Sequence, residues 1–85
     1  MNVIAQLGEP YWRIINARTI TLTLPERSSV ATLLSTLCEQ YPALTADLRE
    51  GEVSPAIFVG DVVARADTLL EDGAQIHIVW PVSGG

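Results

Sequence analysis

The residues best suited to chemistry lie in the final segment, Trp80-Pro81-Val82-Ser83-Gly84-Gly85. Its two adjacent glycines have no Cβ, so they adopt almost any backbone conformation and fit a channel too narrow for a side chain. Pro81 fixes its own φ, has no amide hydrogen and restricts Trp80 to extended conformations, which predicts that strand pairing ends here. Residues 81–85 then extend at most about 16–18 Å beyond the last paired position. We expect the carboxylate at the end of this segment to be a substrate presented to another enzyme.

The composition is that of a small acidic globular domain. The 85 residues are 48% apolar and 18% charged, which predicts one domain over residues 1–85, with residues 81–85 as a protruding flexible tail. Ten acids against five arginines give a formal net charge of −5, which argues against nucleic acid as a partner. The chain has no lysine, so no side-chain amine of its own could attack an activated carboxylate.

Cysteine usage and hydropathy indicate a cytoplasmic protein. A single cysteine, Cys38, excludes an internal disulfide and a cysteine-based metal cluster. The sequence opens with Met1-Asn2 and no basic or apolar leader segment. No apolar run approaches the roughly 20 residues of a membrane span, so we expect no membrane partner.

The first part of the sequence predicts a β-hairpin. Residues 2–7 fit a short strand at the centre of a sheet, because Ile4 makes both of its faces partly apolar. Residues 19–24 alternate threonine with aliphatic residues, which is the pattern of a half-buried strand. Residues 8–18 have no clean period and are interpreted as the long connection of the hairpin.

An amphipathic helix follows the hairpin. Ser28 or Ser29 is its predicted N-cap, and Pro42 ends it. Its apolar residues recur at helical spacing and comprise Val30, Leu33, Leu34, Leu37, Cys38 and Tyr41. Residues 43–52 are expected to add no more than one helical turn, ending at Gly51.

Three further strands complete the predicted sheet. Residues 53–59 form one strand, Gly60-Asp61 a tight turn, and residues 62–64 a short partner strand. Residues 75–80 alternate into the last strand after an acidic turn. A single amphipathic helix must bury its apolar stripe against the sheet, so the fold class is a two-layer α+β sandwich. Parallel pairing of the first and last strands would aim the tail outward.

This order of elements resembles the β-grasp (ubiquitin-like) fold, a mixed sheet of four to five strands with one main helix packed across it. Four segments also resemble the ubiquitin-like sulfur carriers (the MoaD/ThiS family), which include the small subunit of molybdopterin synthase and the thiamine-pathway carrier. These segments are Leu37-Cys38-Glu39-Gln40-Tyr41-Pro42, Ala56-Ile57-Phe58-Val59-Gly60-Asp61, Leu69-Leu70-Glu71-Asp72-Gly73 and the terminal Trp80-Pro81-Val82-Ser83-Gly84-Gly85. The similarity covers nearly the whole chain, and the C-terminal glycine pair is its most specific feature.

The resemblance implies a function for the final residues. The Gly85 carboxylate would be adenylated with ATP by a ubiquitin-activating-type enzyme. It would then become a thiocarboxylate with sulfur from a donor of the cysteine desulfurase or rhodanese type. Pro81, Val82, Ser83 and Gly84 would thread into a partner. Pro81-Val82 and the chain length resemble the small subunit of molybdopterin synthase, MoaD, whose large subunit would receive the tail. The chain would bind no cofactor and would be a co-substrate, not an enzyme alone.

Two features depart from the family pattern. Ala74 stands where the family often has Asp, which affects no catalytic residue. The connection over residues 8–18, with Tyr11 and Trp12, is unlike the family's short segment. It either covers the core, the reading we favour, or contacts a partner through its aromatic residues.

A docking patch beside the tail is also expected. Phe58, Val79 and Trp80 are its candidate residues, and each could instead belong to the core, because a shift of one residue in register would exchange the two faces of a strand.

The remaining reactive residues have simpler explanations. His77 is expected on the solvated outer face of the last strand, without a second ligand that would indicate a metal site. Cys38 is expected to be a small buried hydrophobic residue and not a persulfide carrier. Ser83 lacks a histidine base. The acidic residues of the later turns are Asp61, Asp67, Glu71 and Asp72. We expect them to be solvated, and the functional alternative is docking on a basic partner.

Three classes of function remain open from the sequence. The chain is a sulfur carrier, a protein modifier whose last glycine forms an isopeptide bond, or a non-catalytic interaction module. Among sulfur carriers, thiamine, cysteine and tRNA thiolation pathways are alternatives to molybdopterin synthesis.

Overall fold

The first and last strands lie side by side at the centre of a five-stranded sheet. The computed structural model describes residues 1–51 and 53–81. The strands are β1 (Asn2–Leu7), β2 (Thr19–Thr23), β3 (Ala56–Val59), β4 (Val62–Val63) and β5 (Gln75–Val79), in the order β2-β1-β5-β3-β4. The β1–β5 pair is parallel, and the other pairs are antiparallel. With one main helix across it, this mixed sheet confirms the predicted β-grasp fold.

The main helix, α2 (Val30–Gln40), begins and ends as the sequence predicted. Ser29 is the N-cap, and its hydroxyl accepts a hydrogen bond from the Thr32 amide at 3.4 Å. The helix ends immediately before Tyr41-Pro42, because proline has no amide hydrogen to continue the helix and disfavours helical geometry at the residue before it; Tyr41 has φ of −129° and ψ of 76°.

The hydrophobic core lies between α2 and one face of the sheet. The residues of the helix that are buried are Val30, Leu33, Leu37 and Cys38. The sheet contributes its inner residues, which are Val3, Ala5, Leu7, Ile20, Leu22, Ile57, Ile76 and Ile78. Both sets follow the periods expected of a helix and of strands. Core packing therefore fixes the register of every central strand.

The long connection of the first hairpin contains a helix that its sequence did not reveal. The helix α1 (Tyr11–Ile15) has Asn16 as a left-handed C-cap, with φ of 56°. It packs beside a 3₁₀ turn over Pro42–Leu44. Tyr11 is fully buried, so this segment covers one end of the core, as one of the two readings of the sequence proposed.

The β2, β4 and β5 strands each end one residue earlier than expected, and the start of the third strand and the connection before it differ more. The third strand begins at Ala56 instead of residue 53, because Pro55 precedes it and cannot donate to a ladder; Val53 is exposed. Between α2 and this strand lies a short π-helical turn over Ala46–Glu50 that buries Leu48. Together with the 3₁₀ turn, it replaces the single turn that was predicted.

The parallel strands β1 and β5 give the sheet two distinct ends. We call the end where β1 and β5 finish, at Leu7 and Val79, the tail end. The opposite end, where they begin at Asn2 and Gln75, is the turn end. In residues 1–51 and 53–81, no helix is long and apolar enough to cross a membrane.

Two leucine substitutions test the position of the core. Leu33 is 0% exposed and Leu69 is 63% exposed. Leu33→Ala should lower the free energy of unfolding by about 2–5 kcal/mol, because it leaves a cavity beneath α2. Leu69→Ala, the matched control, should change it by less than about 0.5 kcal/mol. Urea denaturation of both variants measures the difference, and equal losses would contradict the assigned core.

Candidate functional site

The candidate site is built around the end of β5, from which the final segment continues. β5 is held on both sides, by β1 and by β3, and its last residue, Val79, pairs with Ala56. The Gly8 amide donates to the Ile78 carbonyl at 2.8 Å and extends the β1 side of this pairing. The origin of the tail is therefore fixed on both edges.

Gly8 allows the chain to turn closely past the end of β5. A Cβ on this residue would lie 3.2 Å from Val79 Cγ1, which is tighter than an ordinary van der Waals contact. The absence of a side chain therefore lets the loop into α1 approach the origin of the tail.

The predicted tail residues fall only partly within the described structure. Trp80 is 44% exposed, and Pro81 is half-buried. Strand pairing ends at Val79, which agrees with the expected effect of Pro81. Val82, Ser83, Gly84 and Gly85 lie outside the described residues.

Trp80 is positioned by an aromatic contact with α1. Its ring centroid lies 6.5 Å from that of Tyr11, with an interplanar angle of 37°. This distance is within the range of favourable aromatic pairs. Because Tyr11 is buried in the core, the contact holds Trp80 at the tail end while part of the indole remains accessible.

The hydroxyl of Tyr11 is buried without a hydrogen-bond partner among the described residues. Desolvation raises the pKa of this phenol above its ordinary value, and the negative charge of Asp47 raises it further. An unsatisfied buried hydroxyl costs about 1–3 kcal/mol. The ring of Tyr11 thus contacts Trp80, while its buried hydroxyl lowers the stability of the folded chain.

A positively charged cluster lies next to this aromatic pair. The guanidinium carbons of Arg13 and Arg18 lie 4.7 and 4.3 Å from the centroid of the Trp12 ring. Arg13 also donates two hydrogen bonds to Glu9 Oε1, at 3.1 and 2.7 Å. The segment therefore covers the core through Tyr11 and presents indole and guanidinium groups on its outer side.

The predicted docking residues do not all share one surface. Phe58 pairs with His77 and therefore lies on the open face of the sheet, away from α2. Val79 is on the same face, diagonally across from Phe58, and both are half-buried. Trp80 instead contacts Tyr11 at the tail end. The structure thus brings Phe58 and Val79 together on one face and sets Trp80 at the edge beside the tail.

The other candidate residues occupy the positions expected of structural groups. His77 is half-buried on the open face, beside Phe58 and Gln6. Cys38 is buried in the core, as predicted. Asp72 Oδ1 accepts a hydrogen bond from the Asn2 amide at 2.7 Å. Within residues 1–51 and 53–81, no cluster of three or more His, Cys, Asp or Glu residues could hold a metal ion.

Comparison with known families identifies the chain. Residues 11–85 match the ThiS family, which is most of the sequence and includes the glycine pair. The chain belongs to the ThiS family. This confirms the resemblance to the ubiquitin-like sulfur carriers. A comparison with curated proteins found no match.

Solved structures similar to this ThiS-family chain share its fold. SAMP1 from Haloferax volcanii is 20% identical over 100% of both chains, with a TM-score of 0.86. A chain of the complex of subunits 1 and 2 of molybdopterin-converting factor from Helicobacter pylori 26695 is 22% identical over 100% of both chains, with a TM-score of 0.64. A chain of the BexX/CysO complex from Amycolatopsis orientalis is 14% identical, with a TM-score of 0.72, and the match covers 98% of this chain and 99% of that one.

The contact of Tyr11 with Trp80 could not be predicted from the sequence. Tyr11 lies in a segment without periodicity, and a five-residue helix is too short to display an apolar stripe. The available signal was an isolated cluster of aromatic and β-branched residues, Tyr11, Trp12, Ile14 and Ile15, between two strands.

Tyr11→Phe tests the buried hydroxyl. Near neutral pH, the free energy of unfolding of this variant should equal that of the wild type or exceed it by about 1 kcal/mol, because the unsatisfied hydroxyl is removed and the ring is kept. Above about pH 10, the unfolded wild type releases the Tyr11 proton while the folded wild type retains it, so its stability should fall as the pH rises through the raised pKa. Tyr11→Phe should lack this contribution.

Urea denaturation from pH 8 to 11 compares the two proteins. The difference in their free energies of unfolding should remain constant below about pH 10 and then shift in favour of Tyr11→Phe. Parallel curves over the whole range would show that Tyr11 keeps an ordinary pKa in the folded chain.

Proposed function

We propose that this chain is a sulfur carrier whose Gly85 carboxylate becomes a thiocarboxylate and donates sulfur in molybdopterin biosynthesis, as the small subunit of molybdopterin synthase. The observation that carries the proposal is membership of the ThiS family over a range that extends to Gly85. The position of β5, fixed between two strands and ending beside an exposed Trp80, supports it by giving the tail a rigid origin.

The chemistry follows from the weakness of a carboxylate as an electrophile. The Gly85 carboxylate, with an ordinary pKa near 3.5, is ionised at neutral pH and resists nucleophilic attack. Transfer of AMP from ATP to its oxygen creates a good leaving group. The terminal sulfur of a persulfide donor then attacks the carbonyl carbon and displaces AMP, which gives an acyl disulfide. A second thiol cleaves the S–S bond of this acyl disulfide, which leaves the thiocarboxylate on Gly85 and joins that thiol to the donor sulfur in a disulfide. ATP is used by the activating enzyme in this scheme, and the carrier itself needs no bound cofactor.

Each tail residue has a role in this proposal. Pro81 ends the sheet and directs the chain outward. In this scheme Val82 and Ser83 would connect the sheet to the glycines, and Gly84 would pass through a narrow channel because it has no Cβ. Two partners would receive the tail in turn: the ubiquitin-activating-type enzyme and the large subunit of the synthase. We place these reactions in the cytoplasm.

The choice of molybdopterin synthesis follows the similarity to subunits of molybdopterin-converting factor and the Pro81-Val82 pair in the tail. The similarity to SAMP1, and to the small archaeal modifier protein 1 of the same organism, favours a second candidate function, that of a protein modifier. In that case the activated glycine ends in an isopeptide bond to a lysine of a target protein. Other sulfur pathways and a simple interaction module are further alternatives.

Mass spectrometry of the intact chain tests the activation of Gly85. The purified protein is incubated with ATP, a sulfur donor and the adenylating enzyme of its source. We expect a mass increase that corresponds to exchange of one oxygen for one sulfur, and we expect it to survive treatment with a thiol reductant. Deletion of Gly85 should abolish the change.

Cys38→Ala is the matched control for the site of the sulfur. A persulfide on Cys38 would add a sulfur atom without loss of oxygen and would disappear on reduction. The variant should acquire the thiocarboxylate as the wild type does, because Cys38 is buried in the core. No mass change, under conditions in which the same enzyme activates a known carrier, would overturn the proposal.

The acceptor separates the carrier from the modifier. Adding molybdopterin synthase large subunit and its substrate should restore the original mass as sulfur is consumed. A modifier would instead form conjugates with lysine-containing proteins. Since this chain has no lysine, such conjugates cannot be chains of the protein linked through their own lysine side chains.

Phe58→Ser tests the proposed docking patch. If Phe58 and Val79 form the apolar contact with the activating enzyme, this substitution should lower the rate of thiocarboxylate formation at limiting enzyme by about tenfold or more. Val53→Ser, the replacement of another accessible apolar residue, should change the rate by less than about twofold. Equal rates for Phe58→Ser and the wild type would exclude this face from the contact.

A further inference from the structure

An accessible groove lies at the turn end of the sheet, away from the origin of the tail. Its volume is about 450 Å³. It lies between the turn after β3 and the acidic turn before β5, and its lining residues are Val59, Gly60, Leu69, Glu71, Asp72, Gly73 and Ala74. None of these residues is used in the proposed sulfur chemistry.

The groove has an apolar side that the fold leaves exposed. Leu69 is 63% exposed and lines the groove. Val62, which is 69% exposed, pairs directly with Val59, another lining residue. Large apolar side chains at this exposure contribute little to the stability of the folded chain. A partner that buries Leu69 and Val62 would therefore gain binding free energy from apolar surface that is still exposed in the folded chain.

The two charged residues that line the groove are both negative. Glu71 and Asp72 line it, and Asp61 and Asp67 belong to the same chain segment, residues 59–74. The one basic residue of that segment, Arg65, has its guanidinium 3.8 Å from Asp67, and both side chains are more than four-fifths exposed. The groove therefore combines an apolar side with an excess of carboxylates.

Backbone hydrogen bonds hold both turns against the sheet. The Gly60 amide donates to the Gln75 carbonyl at 2.9 Å, and the Gly73 amide donates to the Asn2 carbonyl at 2.7 Å. Both glycines have positive φ, 61° and 83°, which side chains disfavour. The walls are thus fixed before any ligand arrives, which lowers the entropic cost of binding.

We propose that this groove, lined by Val59, Leu69, Glu71 and Asp72 and bordered by Val62, binds a protein segment that carries an aliphatic side chain flanked by lysine or arginine. The aliphatic group would cover Leu69 and Val62, and the cations would face the surrounding carboxylates. A second copy of the chain is a poor occupant, because each copy has a net charge of −5. Nucleic acid and anionic lipid are repelled for the same reason.

The groove and the tail lie at opposite ends of β5, so both could be engaged at once. The five residues of this strand span about 13 Å along the sheet. A partner at the groove would thus hold the carrier without blocking access to Gly85. This inference goes beyond the proposed sulfur transfer and does not depend on it.

A peptide titration tests the proposal. The probe is an N-acetylated, C-amidated pentapeptide with leucine at the central position and lysine at each of the other four positions. Added to the ¹⁵N-labelled full chain at low salt, it should cause saturable shifts centred on the amides of Gly60, Leu69, Gly73 and Ala74. Leu69→Ser and Glu71→Arg should each weaken binding about tenfold, while Glu39→Arg, an exposed charge reversal on α2, should change it less than about threefold.

Carbodiimide coupling gives an independent readout. The chain has no lysine, so any lysine found in an amide bond to one of its carboxylates must belong to the peptide. Peptide mapping should place these bonds at Glu71, Asp72, Asp61 or Asp67. Their formation in the Gly85-deleted chain would show that the groove acts independently of the tail.

Three results would overturn the proposal. They are shifts centred on another surface, absence of saturable shifts, and equal binding of a control peptide with serine in place of leucine. In each of these cases a thiocarboxylate could still form at Gly85, so failure of the groove is distinct from failure of the carrier function.

Discussion

The parallel pairing of β1 with β5 is the constraint on which the rest of the structure depends. Parallel neighbours cannot be joined by a tight turn, so the chain between them must cross over the sheet. The crossover includes α2, which covers the inner face and completes the core. β2 and β3 then flank the central pair as antiparallel neighbours. As a result, the last strand is fixed on both edges, and its end at Val79 has a defined position.

The sheet separates the groups that stabilise the fold from the groups available to partners. Its inner face is aliphatic and buried beneath α2. The open face carries a row of residues, Val63, Phe58, His77, Gln6 and Thr19, that crosses all five strands and becomes more polar toward β2. Its apolar part lies on the β3 and β5 side, nearest the origin of the tail. Changes on the open face can therefore alter recognition with little effect on the core.

Much of this arrangement could be predicted from periodicity, and the exceptions have physical causes. The stripe of α2 and the alternation in β2 and β5 specify one buried face, so their residues could be assigned directly. α1 is five residues long and depends on burial of Tyr11 by distant parts of the chain, which no local pattern reports. The placement of Phe58 diagonally across from Val79 required the cross-strand register, and the position of Trp80 required the unpredicted α1. The glycine pair could be proposed as the site from its residue types alone, because the proposed chemistry needs no tertiary context.

The directions of β1 and β5 also determine how the fold responds to mechanical load. Met1 enters β1 at the turn end, where its amino group donates to the Leu24 carbonyl at 2.8 Å, whereas the tail leaves β5 at the tail end. Tension between the N-terminus and the tail acts along the two strands in opposite directions. The interstrand hydrogen bonds are then loaded together in shear instead of being opened one after another. A partner that grips and withdraws the tail therefore pulls along the most resistant direction of the sheet.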